Sequence, residues 1–156
     1  MFNKKVTELF QGIGEAKKAV LSTSSNNRVT SRMMSFVIYE HKFYCQTDRR
    51  FLKIKQILDN PKVSICIDNI QIEGMAKVIG KPVEHNTFNV LFKKIFKNSY
   101  ESYSFLENEI LLEIDPIFIT VWNYKENIPM REYYYLTSKK YKEEAYLGDE
   151  EFSIES

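Results

Sequence analysis

The sequence is poor in the residues that most often form metal sites and phosphate loops. It contains two cysteines, Cys45 and Cys66, and two histidines, His41 and His85, with no C-x-x-C spacing and no His cluster. We therefore expect buried free thiols, solvent-exposed histidines and no metal site. The five glycines form neither a G-x-G-x-x-G nor a G-x-x-x-x-G-K-[ST] pattern, so Rossmann and P-loop chemistry are not indicated.

Long apolar runs and an excess of one charge are also missing. No segment approaches the roughly 20 apolar residues that span a bilayer, and the start MFNKKVTELF lacks the apolar stretch of a signal peptide. We therefore expect a cytoplasmic protein without membrane segments. With 22 Lys and Arg against 21 Asp and Glu, the net charge is +1, which gives no field for nonspecific binding of nucleic acid.

Aromatic residues, in contrast, are abundant, with ten Tyr and eleven Phe among 156 residues, and such residues favour strands. Apolar spacing predicts helices over residues 4–18, 51–58 and 83–95, and Gly74 is expected at a bulge or a close approach of backbones. The eight predicted strands are the two arms of a hairpin within residues 19–39 and the segments FYCQT, KVSICI, IQIEGMAKVIGKP, NEILLEID, IFITVWNY and REYYYLTS. We expect one domain over residues 1–156, a mainly β antiparallel barrel with helices across its openings and a loose charged tail from about Lys139.

The segment YCQTDRRFLKIKQI, residues 44–57, places cationic groups where a strand turns into a helix. A helix that begins just after Thr47 and Asp48 presents free backbone N–H groups and its positive dipole end to an anion. Thr47 offers a hydroxyl, Lys53 lies one turn into the helix, and Arg49 and Arg50 add charge nearby. We assign Asp48 to capping the helix. The alternative is that these cations form a solvated helix face.

A longer stretch resembles a known family. Residues 31–67, SRMMSFVIYEHKFYCQTDRRFLKIKQILDNPKVSICI, resemble the FMN-binding split-barrel family of pyridoxamine 5'-phosphate oxidase and the related general stress proteins. The match is an ordered series: an Arg before an apolar strand, a short turn, a strand ending in Thr, a helix carrying Lys, and NPKVS. Softer similarity continues through GMAKV and FITVW, so that the resemblance covers roughly residues 15–125.

The resemblance implies a six- to eight-stranded antiparallel split β-barrel with flanking helices that binds FMN. It also implies a homodimer with the cofactor site at the subunit interface. By correspondence with the family, the phosphate is held by Arg32, Thr47 and Lys53, and the ring lies along the backbone of Met33, Met34 and Ser35, although core packing explains the two methionines equally well. Gln46 and Trp122 match positions near the cofactor, and Trp122 matches a late-strand Trp of the stress proteins.

Two departures from the family pattern bear on function. Phe51 and Leu52 stand where the family often has Ser and Arg, so that Arg49 or Arg50 has to substitute or affinity for FMN is reduced. The C-terminal substrate-binding run of the true oxidases is missing, which argues against pyridoxamine phosphate as the substrate.

Function is expected to follow the cofactor. We expect an FMN-dependent oxidoreductase that acts on a small molecule, with a nicotinamide cofactor as a candidate reductant. The alternatives are a non-catalytic flavin-binding module related to stress, or a relative that binds heme or a deazaflavin. Heme needs an axial ligand, and His41 and His85 are the histidines available.

Overall fold

Eight antiparallel strands and four α-helices make up residues 1–148, which are the residues that this computed structural model describes. The elements are α1 (Phe2–Ile13), β1 (Ala16–Ser25), β2 (Arg28–Tyr39), β3 (Lys42–Asp48), α2 (Leu52–Asp59), β4 (Lys62–Ile67), β5 (Ile70–Val78), α3 (Asn86–Ile95), α4 (Lys97–Tyr103), β6 (Glu109–Lys125), β7 (Ile128–Tyr135) and β8 (Lys140–Ala145), with a 3₁₀ turn at Pro82–Glu84. Among these residues, none of the helices is both long enough and apolar enough to cross a bilayer.

Six strands close into a barrel, and two extend beyond it. The strand order is β3-β2-β1-β4-β5-β6, and β3 pairs with β6 to close the ring, from Phe43 opposite Ile114 to Asp48 opposite Glu109. From Phe118 onward β6 also pairs with β7, its pairing with β5 ends at Val121, and β7 in turn pairs with β8. The expected antiparallel barrel with flanking helices is therefore confirmed.

A bulge between β5 and β6 allows one long strand to serve both the barrel and its extension. The register shifts between Glu73 and Gly74, and Gly74 pairs with Pro116. A Cβ on Gly74 would lie 2.9 Å from both the Asp115 carbonyl oxygen and Ile114 Cγ2, so the backbones approach too closely for any other residue. The expected role of Gly74 is confirmed. Because a bulge tolerates proline, the two strands predicted on either side of Pro116 form the single strand β6.

Apolar side chains fill the inside of the barrel and a second layer outside it. The inner cluster includes Leu21, Phe36 and Ile72, and α1 packs Val6, Phe10 and Ile13 against it. The outer cluster includes Val37, Tyr44, Phe88, Phe92 and Leu111, through which α3 covers the outer face of β2, β3 and β6.

The structure corrects two expectations about the ends of the described chain. The first helix ends at Ile13, because Gly14 takes the left-handed φ of 92° and β1 starts at Ala16. The tail is ordered as β8 from Lys140 to Ala145, with Tyr141 donating to the buried Glu132 carboxylate. Residues 149–156 of that tail lie outside the described residues.

The two cysteines differ in exposure. Both thiols are free, and Cys45 is buried inside the barrel, as expected. Cys66 is exposed, which makes the expectation of a second buried thiol wrong. Neighbouring strand residues alternate between faces, and Cys66 lies between the inward residues Ile65 and Ile67.

Candidate functional site

The junction between β3 and α2 is a turn of three residues rather than a direct continuation. β3 ends at Asp48 and α2 begins at Leu52, with Phe51 as its N-cap and without a side-chain cap. The Asp48 carboxylate instead accepts a 2.8 Å hydrogen bond from the backbone N–H of Arg50. The prediction that Asp48 caps the helix is therefore wrong: this carboxylate closes the turn and leaves the first N–H groups of α2 free of it.

The two arginines of this turn form hydrogen bonds with residues outside α2. Arg50 Nε and Nη2 donate to Asp48 at 2.9 and 2.7 Å, and these hydrogen bonds lower the pKa of Asp48 to about 2. Arg49 Nε donates to Asn108 Oδ1 at 2.7 Å. Both arginines are exposed, and their hydrogen bonds do not involve Thr47 or Lys53.

Lys53, in contrast, returns to the strand that precedes its helix. Its Nζ atom donates to Thr47 Oγ1 at 2.8 Å and lies 4.7 Å from the centre of the Phe51 ring. The residue is 8% exposed, and Thr47 is 5% exposed. Thr47 follows Cys45 on the inner face of β3, so the ammonium sits at one inner end of the barrel, which α2 covers.

Arg32 reaches the same end of the barrel from β2. It pairs with the fully buried Leu21 of β1, and its Nη1 atom donates to the Leu21 carbonyl at 3.1 Å and to Thr23 Oγ1 at 2.8 Å. Its Nη2 atom donates to Thr30 Oγ1 at 2.5 Å. All of these acceptors are neutral. Among residues 1–148, neither Arg32 nor Lys53 forms a salt bridge with a carboxylate.

The positive charges of Arg32 and Lys53 act on each other. Burial lowers the pKa of Lys53, and the charge of Arg32 lowers it further, while Cys45, Glu109 and Asp48 each oppose this with a smaller contribution. Burial also lowers the pKa of Arg32. Because like charges in a poorly solvated place repel, this arrangement is favourable only when an anion or solvent compensates them. The geometry thus provides two cations and a hydroxyl at one end of the barrel.

Solved structures place this architecture among known proteins, although no protein-family model and no curated protein matches the chain. General stress protein 26 from Bacillus anthracis is 28% identical, with 74% of this chain and 89% of that one covered and a TM-score of 0.57. A pyridoxamine 5'-phosphate oxidase-related, FMN-binding protein from Nostoc punctiforme is 17% identical, with 92% and 94% covered and a TM-score of 0.59.

The fold is the split barrel of the pyridoxamine 5'-phosphate oxidase-related proteins. The resemblance seen in the sequence is thereby confirmed. A heme storage protein from Vibrio cholerae also has this split barrel, at 15% identity over 74% of this chain and 89% of that one, with a TM-score of 0.58. The split barrel alone therefore does not determine which ligand is bound.

The three residues expected along the ring lie on alternate faces of β2 in this split barrel. Met34 points inward and packs against the barrel core, whereas Met33 is 61% exposed. Ser35 faces outward and lines a groove of about 330 Å³ together with Lys18 and the start of α4. Arg32 shares the inner face with Met34, so the structure does not bring all four side chains to one surface.

Gln46 is buried and has partners at both ends of its amide. Its Nε2 atom donates to Glu109 at 2.9 Å, and its Oε1 atom accepts from Ser104 at 3.0 Å. Burial raises the pKa of Glu109, and the hydrogen bond from Gln46 opposes this. Since Gln46 and Thr47 are consecutive strand residues, their side chains leave opposite faces of the split barrel.

Trp122 lies at the other end of β6 from the cation pair. Thr47 pairs with Ile110 near the start of β6, and Trp122 follows at its far end, outside the barrel. The Trp122 ring contacts Tyr124 and Tyr146. Within one chain, the split barrel therefore separates Trp122 from Lys53.

The histidines of the split barrel have neighbours of their own. His41 is exposed, as expected, and stacks on Phe10 with 4.5 Å between ring centres. His85 is only partly exposed, which differs from expectation, because its Nε2 atom lies 2.6 Å from the Ile79 carbonyl oxygen. In the described part of the chain, no group of three or more His, Cys, Asp or Glu is arranged to hold a metal ion.

Three polar residues at the cation pair were not identified from the sequence. Thr23 and Thr30 face inward from β1 and β2, and Gln56 extends from α2 between them. Gln56 and Thr23 are 3% and 1% exposed. The available signal was the polar run STSSNNRVTSR, where an alternating strand should carry apolar side chains at its inward positions.

Proposed function

We propose that this protein binds FMN, with the phosphate held by Arg32, Thr47 and Lys53. The observation that supports this most directly is the pair of positive side chains, from β2 and α2, whose charges act on each other and which form no salt bridge with a carboxylate among the described residues. Cationic donors to a phosphate form strong, charge-assisted hydrogen bonds, and a phosphate relieves the repulsion between the two cations. The Nostoc punctiforme protein that is named as FMN-binding shares the fold.

The departures from the family pattern define what kind of site this is. Phe51 contributes a ring beside the Lys53 ammonium, where a serine would contribute a hydroxyl. Arg49 and Arg50 are exposed and hydrogen-bonded to Asn108 and Asp48. We therefore propose a phosphate site with two cations rather than three or four.

We further propose that the protein is an oxidoreductase that acts on a small molecule and works as a homodimer. The flavin would supply the hydride chemistry, while the side chains described here bind and orient it. A second copy of the chain is needed to bring a Trp122 side chain toward the cation pair, because β6 separates the two within one chain. The exposed Met33 side chain on the outer face of β2 also suits an interface.

A flavin carrier without catalysis is the second candidate. It is favoured by the two carboxylates that act on Lys53. Glu109 already accepts a hydrogen bond from the buried Gln46, and Asp48 accepts those of Arg50, so both are poorly placed as a general base. Heme is less well supported, because His41 stacks on Phe10 and His85 is bound to a backbone carbonyl. A deazaflavin with a phosphate would use the same cations as FMN.

The first test is the visible spectrum of freshly purified protein before and after addition of FMN, combined with its mass in solution. We expect a flavin band that co-migrates with a dimer. Mixing the loaded protein with NADH or NADPH without oxygen then separates the two candidates: bleaching of the flavin band supports a reductase, and an unchanged band supports a carrier. Colourless protein that takes up no FMN contradicts the proposal.

A further inference from the structure

Behind the two cations lies a buried hydrogen-bonding relay that ends on Arg32. Gln56, on α2 one turn after Lys53, is 3% exposed and lies between β1 and β2. Its Oε1 atom accepts from Thr23 Oγ1 at 2.5 Å and from Thr30 Oγ1 at 2.8 Å. The same two hydroxyl oxygens accept hydrogen bonds from the Arg32 guanidinium, whose Nη1 atom also donates to the Leu21 carbonyl.

The direction of every bond in this relay follows from one backbone carbonyl. Gln56 Nε2 lies 3.1 Å from the carbonyl oxygen of Arg28, and a carbonyl can only accept. The amide oxygen of Gln56 therefore has to face the threonines. Each threonine has a single proton, which it donates to Gln56, so that its lone pairs remain for Arg32.

We propose that Gln56 is a positioning residue of the anion site: through Thr23 and Thr30 it fixes the Arg32 guanidinium at the end of the barrel where Lys53 lies, before any ligand arrives. Without the relay, each hydroxyl rotates freely, and the guanidinium moves away from the neighbouring ammonium that repels it. Preorganisation of this kind increases affinity because less freedom is lost on binding. The inference rests on the proposed phosphate site, and it adds residues that make no contact with the ligand.

The test compares FMN with riboflavin, which lacks the phosphate, in fluorescence-quenching titrations. In Gln56→Leu, we expect FMN to bind about five- to tenfold more weakly, the equivalent of about one net hydrogen bond, with riboflavin unchanged. If Gln56 only joins α2 to the barrel, both flavins weaken together, or the melting temperature falls without any change in FMN affinity. Either of these results overturns the proposal.

Two further variants keep the test valid if Gln56→Leu does not fold. Thr30→Val has nearly the same shape without the hydroxyl, and Thr30→Ser keeps the hydroxyl. We expect Thr30→Val to weaken FMN selectively, as Gln56→Leu does, and Thr30→Ser to bind FMN within about twofold of the parent protein. Equal FMN affinity of the valine and serine variants contradicts the relay.

A readout without any flavin separates this inference from the proposed function. Restricted rotation of a fixed guanidinium gives separate NMR signals for its Nη–H groups, which Arg32→Lys assigns by their loss. We expect these signals in the parent protein and their loss in Gln56→Leu, whether or not FMN binds. If the parent protein binds no FMN, the proposed function fails, and these signals still decide the positioning role. Signals that persist in Gln56→Leu overturn it.

Discussion

The Nζ atom of Lys53 lies 2.8 Å from Oγ1 of Thr47, so the helix that follows β3 returns its cation to the strand that precedes it. The turn of residues 49–51 makes this possible, because Asp48 accepts the Arg50 N–H and thereby reverses the chain. Burial lowers the pKa of Lys53, and the charge of Arg32, which lies on β2, lowers it further. Three neighbouring segments thus meet in a site that is electrostatically unfavourable when empty.

Because the charges of Arg32 and Lys53 repel each other, we expect removal of the Lys53 charge to stabilise the folded protein. In Lys53→Met, we expect the free energy of unfolding at neutral pH to rise by about 1 kcal/mol, since an apolar side chain of similar length replaces a buried charge without an ionic partner. Denaturant unfolding without ligand measures this. Lys55→Met, on the exposed side of the same helix, is the control, with a change within about 0.5 kcal/mol. A large loss of stability in Lys53→Met would show that the Thr47 hydrogen bond outweighs the repulsion.

The lowered pKa of Lys53 also predicts how the difference in stability between the parent protein and Lys53→Met depends on pH. The pKa of Lys53 is lower in the folded protein than its ordinary value of 10.5, so the unfolded chain binds more protons between the two values. The free energy of unfolding of the parent protein therefore rises with pH across this window relative to Lys53→Met. We expect the advantage of Lys53→Met to shrink as pH approaches 10.5 and to be fully present below the lowered pKa. Unfolding curves of both proteins at several pH values measure it, and a constant difference contradicts the pKa shift.

On the alkaline side, FMN affinity should fall as pH rises, whereas the stability of the unliganded protein should rise. A phosphate loses its second negative charge below about pH 6, and Lys53 loses its proton as pH rises through its lowered pKa. We therefore expect FMN affinity to be highest between these limits and to fall on the alkaline side below the range usual for lysine. FMN titrations across pH test this. In Lys53→Met the alkaline fall should disappear, and if it persists, another group is responsible.

Close packing at the β5–β6 bulge gives a prediction about stability that does not involve the site. In Gly74→Ala, the new methyl group meets the Asp115 carbonyl at 2.9 Å, and we expect a loss of about 2–3 kcal/mol in the free energy of unfolding. Gly12→Ala is the matched control, because nothing lies within 4 Å of its Cβ position in α1. There we expect a gain of up to about 1 kcal/mol. Thermal unfolding of Gly74→Ala and Gly12→Ala measures this difference. Equal effects of the two substitutions would contradict the close approach of the backbones at Gly74.

The cysteines should differ in reactivity in the native protein. Burial raises the pKa of the Cys45 thiol to about 12, whereas Cys66 is exposed on β4. We expect a thiol reagent to modify one cysteine per native chain and two in denaturant, since thiolate character and access control the reaction. Cys66→Ser should abolish the native reaction. Fast modification of Cys45 in that variant contradicts the structure.

Regular patterns made much of the fold predictable from the sequence. Alternation located the barrel strands, and Gly74 marked its bulge, because both features are local. The predicted and the observed number of strands agree because two differences cancel. Two predicted strands form the single strand β6 across Pro116, and β8 lies in the segment that was predicted to be a loose tail. The sequence of β8, KYKEEA, is too charged to predict a strand, and it is held by pairing with β7.

The site was predictable only as far as the cations themselves. Arg32, Thr47 and Lys53 were named from the family pattern, and the structure brings them to one end of the barrel. The relay through Thr23 and Gln56 depends on contacts between residues 33 positions apart, which local spacing does not reveal. The roles of Asp48 and the two turn arginines depended on where α2 begins, and boundaries of elements are poorly specified by sequence.

The most direct test of the account is a titration of FMN into the parent protein, Lys53→Met and Lys55→Met, followed by flavin fluorescence. We predict one FMN per chain in the parent protein and in Lys55→Met, and an affinity about 10- to 100-fold lower in Lys53→Met, as expected for the loss of a charge-assisted hydrogen bond to phosphate. Both substitutions remove one positive charge from α2, so only position distinguishes them. Equal affinities in the two variants, or no binding to the parent protein, would contradict the assignment of the phosphate site.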